Sequence, residues 1–145
     1  MSLVQKAGVL LSMTYDDANR GKIQNRLRSQ QIIDFSGIRY KNITPTDIDG
    51  FFEKAGKAFV FYEYKLQGAE IPKGQELALT RIVDGLSVAG KTAVLFICRH
   101  NEINPVNDIK AANAIVEKIY WQGKWHKGKN KTVKEHTDKF MNWID

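Results

Sequence analysis

The sequence predicts an α/β (α+β) domain with a mixed central β-sheet flanked by helices. Three observations carry that expectation. The apolar segments Phe51-Phe52 and Ala58-Phe59-Val60-Phe61-Tyr62 enclose the polar turn Glu53-Lys54-Ala55-Gly56-Lys57, the pattern of a β-hairpin. Leu79, Ile82, Val83 and Leu86 recur at helical spacing, which marks an amphipathic helix. Thr92 to Cys98 is apolar on both faces, as expected of a central strand covered on each side.

The remaining elements follow in chain order. Residues from about Thr14 to Phe35 read as a helix with Ala18, Ile23, Leu27 and Ile32 as apolar members and Asp16 or Asp17 near its start. Arg20, Arg26 and Arg28 would project outward from it. Ile38 to Ile43 reads as the start of a short strand, and Thr44-Pro45-Thr46 as the loop before the hairpin. A connector from Leu66 to Gly74 leads into the helix that Gln75 opens. Gly90 marks a turn before the central strand, which ends in Arg99-His100-Asn101. His100 either lines a site or is a satisfied strand-end histidine. Ile109 to Tyr120 is ambiguous between helix and strand, but Ile115-Val116, Ile119-Tyr120-Trp121 and Trp125 suggest two β segments around Gln122-Gly123-Lys124. A last helix runs from Thr132 to Ile144. Thr132 and Glu135 are spaced for a capping box, and Phe140 and Trp143-Ile144 are expected to dock inward.

Composition narrows the class. With 145 residues, 43% of them hydrophobic, the chain (residues 1–145) reads as a single globular domain with a real core. Charged residues make up 26%, close to the ordinary share of about a quarter, which argues against disorder. No apolar stretch approaches the roughly 18–20 residues that span a bilayer, so no membrane partner is expected. Val4 to Met13 lacks the basic start, cleavage site and length of a signal peptide. The lone cysteine, Cys98, falls inside a buried strand, so no disulfide framework exists and the chain reads as cytoplasmic.

The hairpin poses a chemical puzzle. Its second strand ends in Glu63-Tyr64-Lys65, and alternation puts Glu63 and Lys65 on one face. With Ala55-Gly56-Lys57 as the loop, Lys54 pairs with Ala58 and Asp49 falls opposite Glu63; a two-residue loop would shift this by one position and leave the two carboxylates diagonal neighbours about 7–8 Å apart at most, still within reach of one cation. Directly opposed side chains have Cβ atoms about 4.5–5.5 Å apart, so one cation can bridge both carboxylates. Two adjacent carboxylates repel and hinder each other's ionisation. Lys65 compensates in part, and a hard cation with oxygen ligands would do more. Magnesium, with manganese as a substitute, suits a sparse set of one or two carboxylates. Lys65 would orient an attacking water. Asp47 shares the face of Asp49 one step further out and is the reserve ligand. Gln75 lies four residues before Leu79, on the first turn of the stripe that packs on the sheet, so its amide would look back towards the strand ends. The bland alternative for the trio is a strand-end ion pair worth about 0–1 kcal/mol when exposed.

From Ile43 to His100 the chain resembles the PD-(D/E)XK nuclease superfamily, with its restriction-endonuclease-like fold. Thr46-Asp47-Ile48-Asp49-Gly50-Phe51, Glu63-Tyr64-Lys65 and Gln75 at the opening of the next helix carry the likeness. It is most similar to the small phage-type and RecB-like branches, in which a glutamine marks that helix. The resemblance implies a phosphodiester hydrolase in which Asp49, Glu63 and the Tyr64 carbonyl hold the metal, Lys65 assists the water and Gln75 supports the site. It also implies DNA processing in recombination, repair or a phage, in the host cytoplasm if phage-encoded. The chain departs from the pattern at two places: no proline directly precedes Asp49 or Asp47, and only Asp16 or Asp17 could act as a first-helix acid.

The net charge of +6 and pI of about 9.4 point towards an anionic partner. Two acid-free stretches concentrate it: Arg20, Lys22, Arg26 and Arg28, then Lys118, Lys124, His126, Lys127, Lys129, Lys131 and Lys134. Either alone is most simply a solvated face. Together, flanking an apparent metal site, they favour nucleic acid, with Arg20, Arg26, Lys124, Lys127, Lys129 and Lys131 on the phosphates. Tyr120, Trp121 and Trp125 among the lysines would stack bases or pack the sheet edge. A homodimer would supply two centres for two cuts. The rival readings are a catalytically inactive nucleic-acid-binding module and an assembly domain that meets another protein through its tryptophans.

Overall fold

Alternation and turn chemistry set the sheet from the hairpin onward. The computed structural model describes Lys22 and residues 25–145. The described residues fall into two compact units that divide between Pro45 and Thr46.

In the first unit the only helix among the described residues is α1, Arg26–Ser29. The expected helix from Thr14 to Phe35 is thus corrected over its described part: residues 31–35 are not helical. Ser29 is followed by a turn, and Asp34 Oδ1 accepts the Ser36 N–H at 2.9 Å, a local bond that competes with helix. Leu27 and Ile32 are 80% and 90% exposed, so no buried apolar face supports a longer helix. Val4 to Met13, Asp16, Asp17, Ala18, Arg20 and Ile23 lie outside the described residues. The expected strand near Ile38 is reduced to one antiparallel bridge, Tyr40 to Ile43, around Lys41 at positive φ.

The second unit is a five-stranded mixed sheet in the order β1-β2-β3-β4-β5, with helices packed on it. The strands are β1 Gly50–Lys54, β2 Ala58–Leu66, β3 Thr92–His100, β4 Ile115–Trp121 and β5 Lys124–Lys127. The helices are α2, Lys73–Val88, and α3, Val133–Ile144, and a 3-10 turn, Ala111–Asn113, precedes β4. Only β2 and β3 run parallel, because α2 carries the chain back between them.

The hairpin register is the expected one: Lys54 pairs with Ala58 and Gly50 with Tyr62. Its turn is closed by the Lys57 N–H to the Lys54 carbonyl at 2.9 Å, with Ala55 and Gly56 both at positive φ, the backbone that matches strand twist. The β4–β5 turn does the same at Gln122-Gly123. The span around Ile109–Tyr120 resolves as a 3-10 turn followed by a strand.

Two cores lie on opposite faces of the sheet. Leu79 and Val83 of α2 bury against Phe61, Leu95 and Ile97. Val133 of α3 buries against Val60, Val94, Phe96, Cys98 and Val116, with Phe140 and Met141 packed beside it. Ile82 is 38% exposed and therefore lies off the buried stripe of α2. The capping box is formed: Thr132 Oγ1 accepts the Glu135 N–H at 3.1 Å, and Glu135 Oε1 accepts the Thr132 N–H at 3.3 Å. Phe140 docks as expected, but Trp143 is 67% exposed. It sits on the last turn of α3, beside Phe140, and reaches the rim of the sheet at Trp121, the last residue of β4. Among the described residues no helix is long and apolar enough to cross a membrane.

Candidate functional site

The antiparallel register places the first acid. Continued one step past Gly50 and Tyr62, it sets Asp49 opposite Glu63 at the point where β1 begins. There Asp49 Oδ2 accepts the backbone N–H of Tyr64 at 2.7 Å. An extended residue directs its N–H and C=O to the same side. The Tyr64 carbonyl therefore faces the side of β2 on which Asp49 lies.

Glu63 is the centre of the cluster. Alternation along β2 turns it to the α2 face with Phe61, and it has no solvent exposure at all. It is the one buried charged side chain among the described residues. Gln75, in the first turn of α2 and one turn before the buried Leu79, donates from Nε2 to Glu63 Oε2 at 3.1 Å. The same nitrogen reaches Asp47 Oδ1 at 3.4 Å. Lys65 stands two residues along β2 on the same face, with Nζ 3.3 Å from Glu63 Oε1 and its side chain 29% exposed. Glu63 Oε1 accepts no hydrogen bond. The six residues singled out from the sequence for this site, Asp47, Asp49, Glu63, Tyr64, Lys65 and Gln75, thus meet at the end of the β1–β2 pair.

The electrostatics follow from this crowding. Burial pushes the Glu63 carboxyl up to about 7, and the neighbouring Asp49 charge pushes the same way. Lys65 pulls in the opposite direction without cancelling them. A carboxyl poised near neutrality, with one oxygen met only by the partly exposed Lys65 ammonium, gains from a further cation brought to that oxygen. Among the described residues no three His, Cys, Asp or Glu side chains group as a metal centre. The donor set that fits a hard cation is the smaller one: Glu63, Asp49, the Tyr64 carbonyl and Asp47 as reserve. Such a set matches an ion that keeps several waters.

Other candidates are placed apart from this centre. His100 is satisfied at the strand end, with Nδ1 accepting the Glu102 N–H at 3.1 Å. Cys98 is buried on the α3 face and its thiol is pushed up to about 12 by burial, so it is an inert core residue. Lys124, Lys127, Lys129 and Lys131 are all exposed on β5 and the loop that follows it. Lys118 is engaged instead: its Nζ lies 3.2 Å from both oxygens of Glu76 and 4.1 Å from the Trp125 ring centroid. Tyr120 donates to Asp84 at 2.8 Å and packs at a tilt against Trp125, with ring centroids 5.1 Å apart, so both aromatics serve the packing of the sheet edge. Arg26 opens α1 in the first unit. Arg20 lies outside the described residues.

Sequence reasoning missed Arg99. It follows the central strand's apolar run, and its guanidinium donates to the carbonyls of Leu66, at 3.2 Å, and Ala69 while pairing with Glu117 at 3.3 Å. Those bonds fix the chain just after Lys65 and so hold the end of β2 in place. The available signal was a single arginine closing an otherwise apolar strand. Compared with models of known families, with curated proteins and with solved structures, the chain shows no match.

Proposed function

We propose that this chain is a magnesium-dependent nuclease of the PD-(D/E)XK kind that hydrolyses phosphodiester bonds in DNA. The observation that carries the proposal is the convergence on Glu63: a fully buried carboxylate held by Gln75 through one oxygen, beside Asp49, with its other oxygen met only by the partly exposed Lys65 ammonium. A strand pair built only for stability gains little from burying that group.

Each residue has a chemical task in this reading. Glu63 and Asp49, with the Tyr64 carbonyl, would hold the ion, and Gln75 keeps the Glu63 carboxylate in one orientation. Lys65, partly exposed, is free to turn from Glu63 towards a water or the scissile phosphate and to offset charge that develops there. Magnesium, or manganese in its place, would supply Lewis acidity to the phosphate and acidify the attacking water. Arg20, Arg26, Lys124, Lys127, Lys129 and Lys131 would contact backbone phosphates, which position DNA without reading its sequence. The protein would act inside the cell, and pairing of two copies would provide centres for cuts in both strands.

One fact favours a second reading, a non-catalytic nucleic-acid-binding module. Asp49 already satisfies the Tyr64 N–H and Lys65 already pairs with Glu63, as a structural ion cluster would. Such a module binds DNA with steep salt dependence and ignores magnesium.

Cleavage of plasmid and oligonucleotide substrates with magnesium or manganese separates the two. The wild-type chain should cut, and Lys65→Ala and Glu63→Gln should each lose at least about a hundredfold, the scale of removing one transition-state contact. Equal activity in all three proteins contradicts the proposal.

A further inference from the structure

The face of the sheet opposite Glu63 carries a second feature. Between α3 and the β4–β5 hairpin lies a groove of about 350 Å³, with Val94 and Phe96 on its floor. These residues point towards α3, whereas Leu95 and Ile97 point with Glu63 towards α2, so the groove is separate from the cluster at the strand ends.

Its walls are aromatic. Trp121 meets Phe140 at 5.9 Å and Trp143 at 5.5 Å between ring centroids, both edge-to-face at 84° and 83°. Trp143 is 67% exposed although apolar burial would favour covering it. The rim is basic: His126, Lys129 and Lys139 border the groove, and no acid does. Nearby acids are committed elsewhere, with Asp138 on Lys134 at 2.6 Å, Glu135 in the capping box and Asp145 on Lys54. Lys129 and Lys139 form no ion pair among the described residues. Aromatic walls with an all-positive rim are complementary to a planar ring that carries an anionic group.

We propose that this groove takes one unpaired nucleotide of a single-stranded nucleic acid, its base against Trp121 and Trp143 and its phosphate towards Lys129 and Lys139. The volume sits at the lower end of the roughly 300–1,000 Å³ of ordinary ligand sites, which suits a single base rather than a stacked run. Lys124, Lys127 and Lys131, exposed around the same hairpin, would take the flanking phosphates. The inference rests on nucleic acid being the partner, as proposed above, but not on cleavage.

The test is fluorescence anisotropy of a labelled short oligothymidylate, measured in EDTA so that no cutting occurs. Wild-type protein should bind it, and Trp143→Ala and Lys139→Ala should each weaken binding by about tenfold or more, the scale of losing one stacked base. Both side chains are exposed, so both variants should keep the wild-type circular dichroism; Lys139→Ala should also keep the melting temperature, while Trp143→Ala should lower it by a few degrees at most for its lost ring contacts of about 0.5–1.5 kcal/mol each. Lys129→Asn, which tolerates the positive φ at that position, should weaken binding in the same direction. Lys91→Ala, at an exposed lysine outside the groove, should bind as wild type does, and because the assay in EDTA reads binding alone, cleavage can fail while this inference stands, and the reverse. Inorganic phosphate should compete poorly. Absent binding, unchanged affinity in both Trp143→Ala and Lys139→Ala, or stronger competition by an acidic peptide containing phenylalanine would overturn the proposal.

Discussion

A carboxyl group cut off from water holds its proton to higher pH than one in solution. Glu63 is that group here, raised from an ordinary 4.5 to about 7. Between those values the folded chain keeps a proton that the unfolded chain has released, so stability falls as pH rises through that window and levels off above it. Glu63→Gln removes the charge and keeps an amide of similar shape. In EDTA the variant should therefore be more stable than wild type at pH 8 by roughly 1–3 kcal/mol, with the difference shrinking towards pH 5. Urea unfolding at the two pH values checks this, and a variant less stable than wild type at pH 8 would refute it. The residue's place was legible in advance because strand alternation and the hairpin turn fix which side chains share a face. Its depth of burial was not, since that depends on how α2 lies on the sheet.

At the scale of elements, glycines show how the same substitution takes opposite signs. Gly128 is buried after β5, and a Cβ there would overlap the backbone carbonyl of Val116. Its N–H donates to Glu117 O at 3.1 Å and its carbonyl meets His136 Nε2 at 2.7 Å, so the loop is tied to β4 and α3 at once. Gly128→Ala should cost about 3 kcal/mol or more in unfolding free energy, because backbone rather than a side chain must move. Gly85, in the interior of α2 with open space around it, should instead gain about 0.5–1 kcal/mol as alanine. Urea unfolding of both variants measures the contrast, and losses of similar size would contradict it. The helices differ in how far the sequence disclosed them. α2 and α3 carry apolar stripes that the sheet buries at Leu79, Val83 and Val133. The segment up to Phe35 carries apolar residues at similar spacing, but Leu27 and Ile32 stay exposed, and periodicity alone does not hold a helix without a surface to pack on.

For the whole molecule, the sheet order and the chemistry at its edge are consequences of one another. The crossover through α2 makes β2 and β3 parallel, sets the end of β2 beside the start of the helix, and so brings Gln75 to Glu63. β1 enters antiparallel from the outer edge and delivers Asp49 to the same point. These juxtapositions were legible because they come from short-range rules of register and helical spacing. The groove under α3 was not, because it needs residues from β3, β4 and the last two turns of α3 whose relation only the folded chain defines. The claim on which the rest depends is that Glu63 and Asp49 form a binding site for a divalent ion. Calorimetric titration of manganese into the chain at fixed pH tests it without any nucleic acid. The account predicts a single saturable site in the wild type, weakened at least about tenfold in Glu63→Gln and in Asp49→Asn, the scale seen when a metal site loses even an outer partner. Manganese that binds both variants as tightly as wild type, or does not bind the wild type at all, would contradict it.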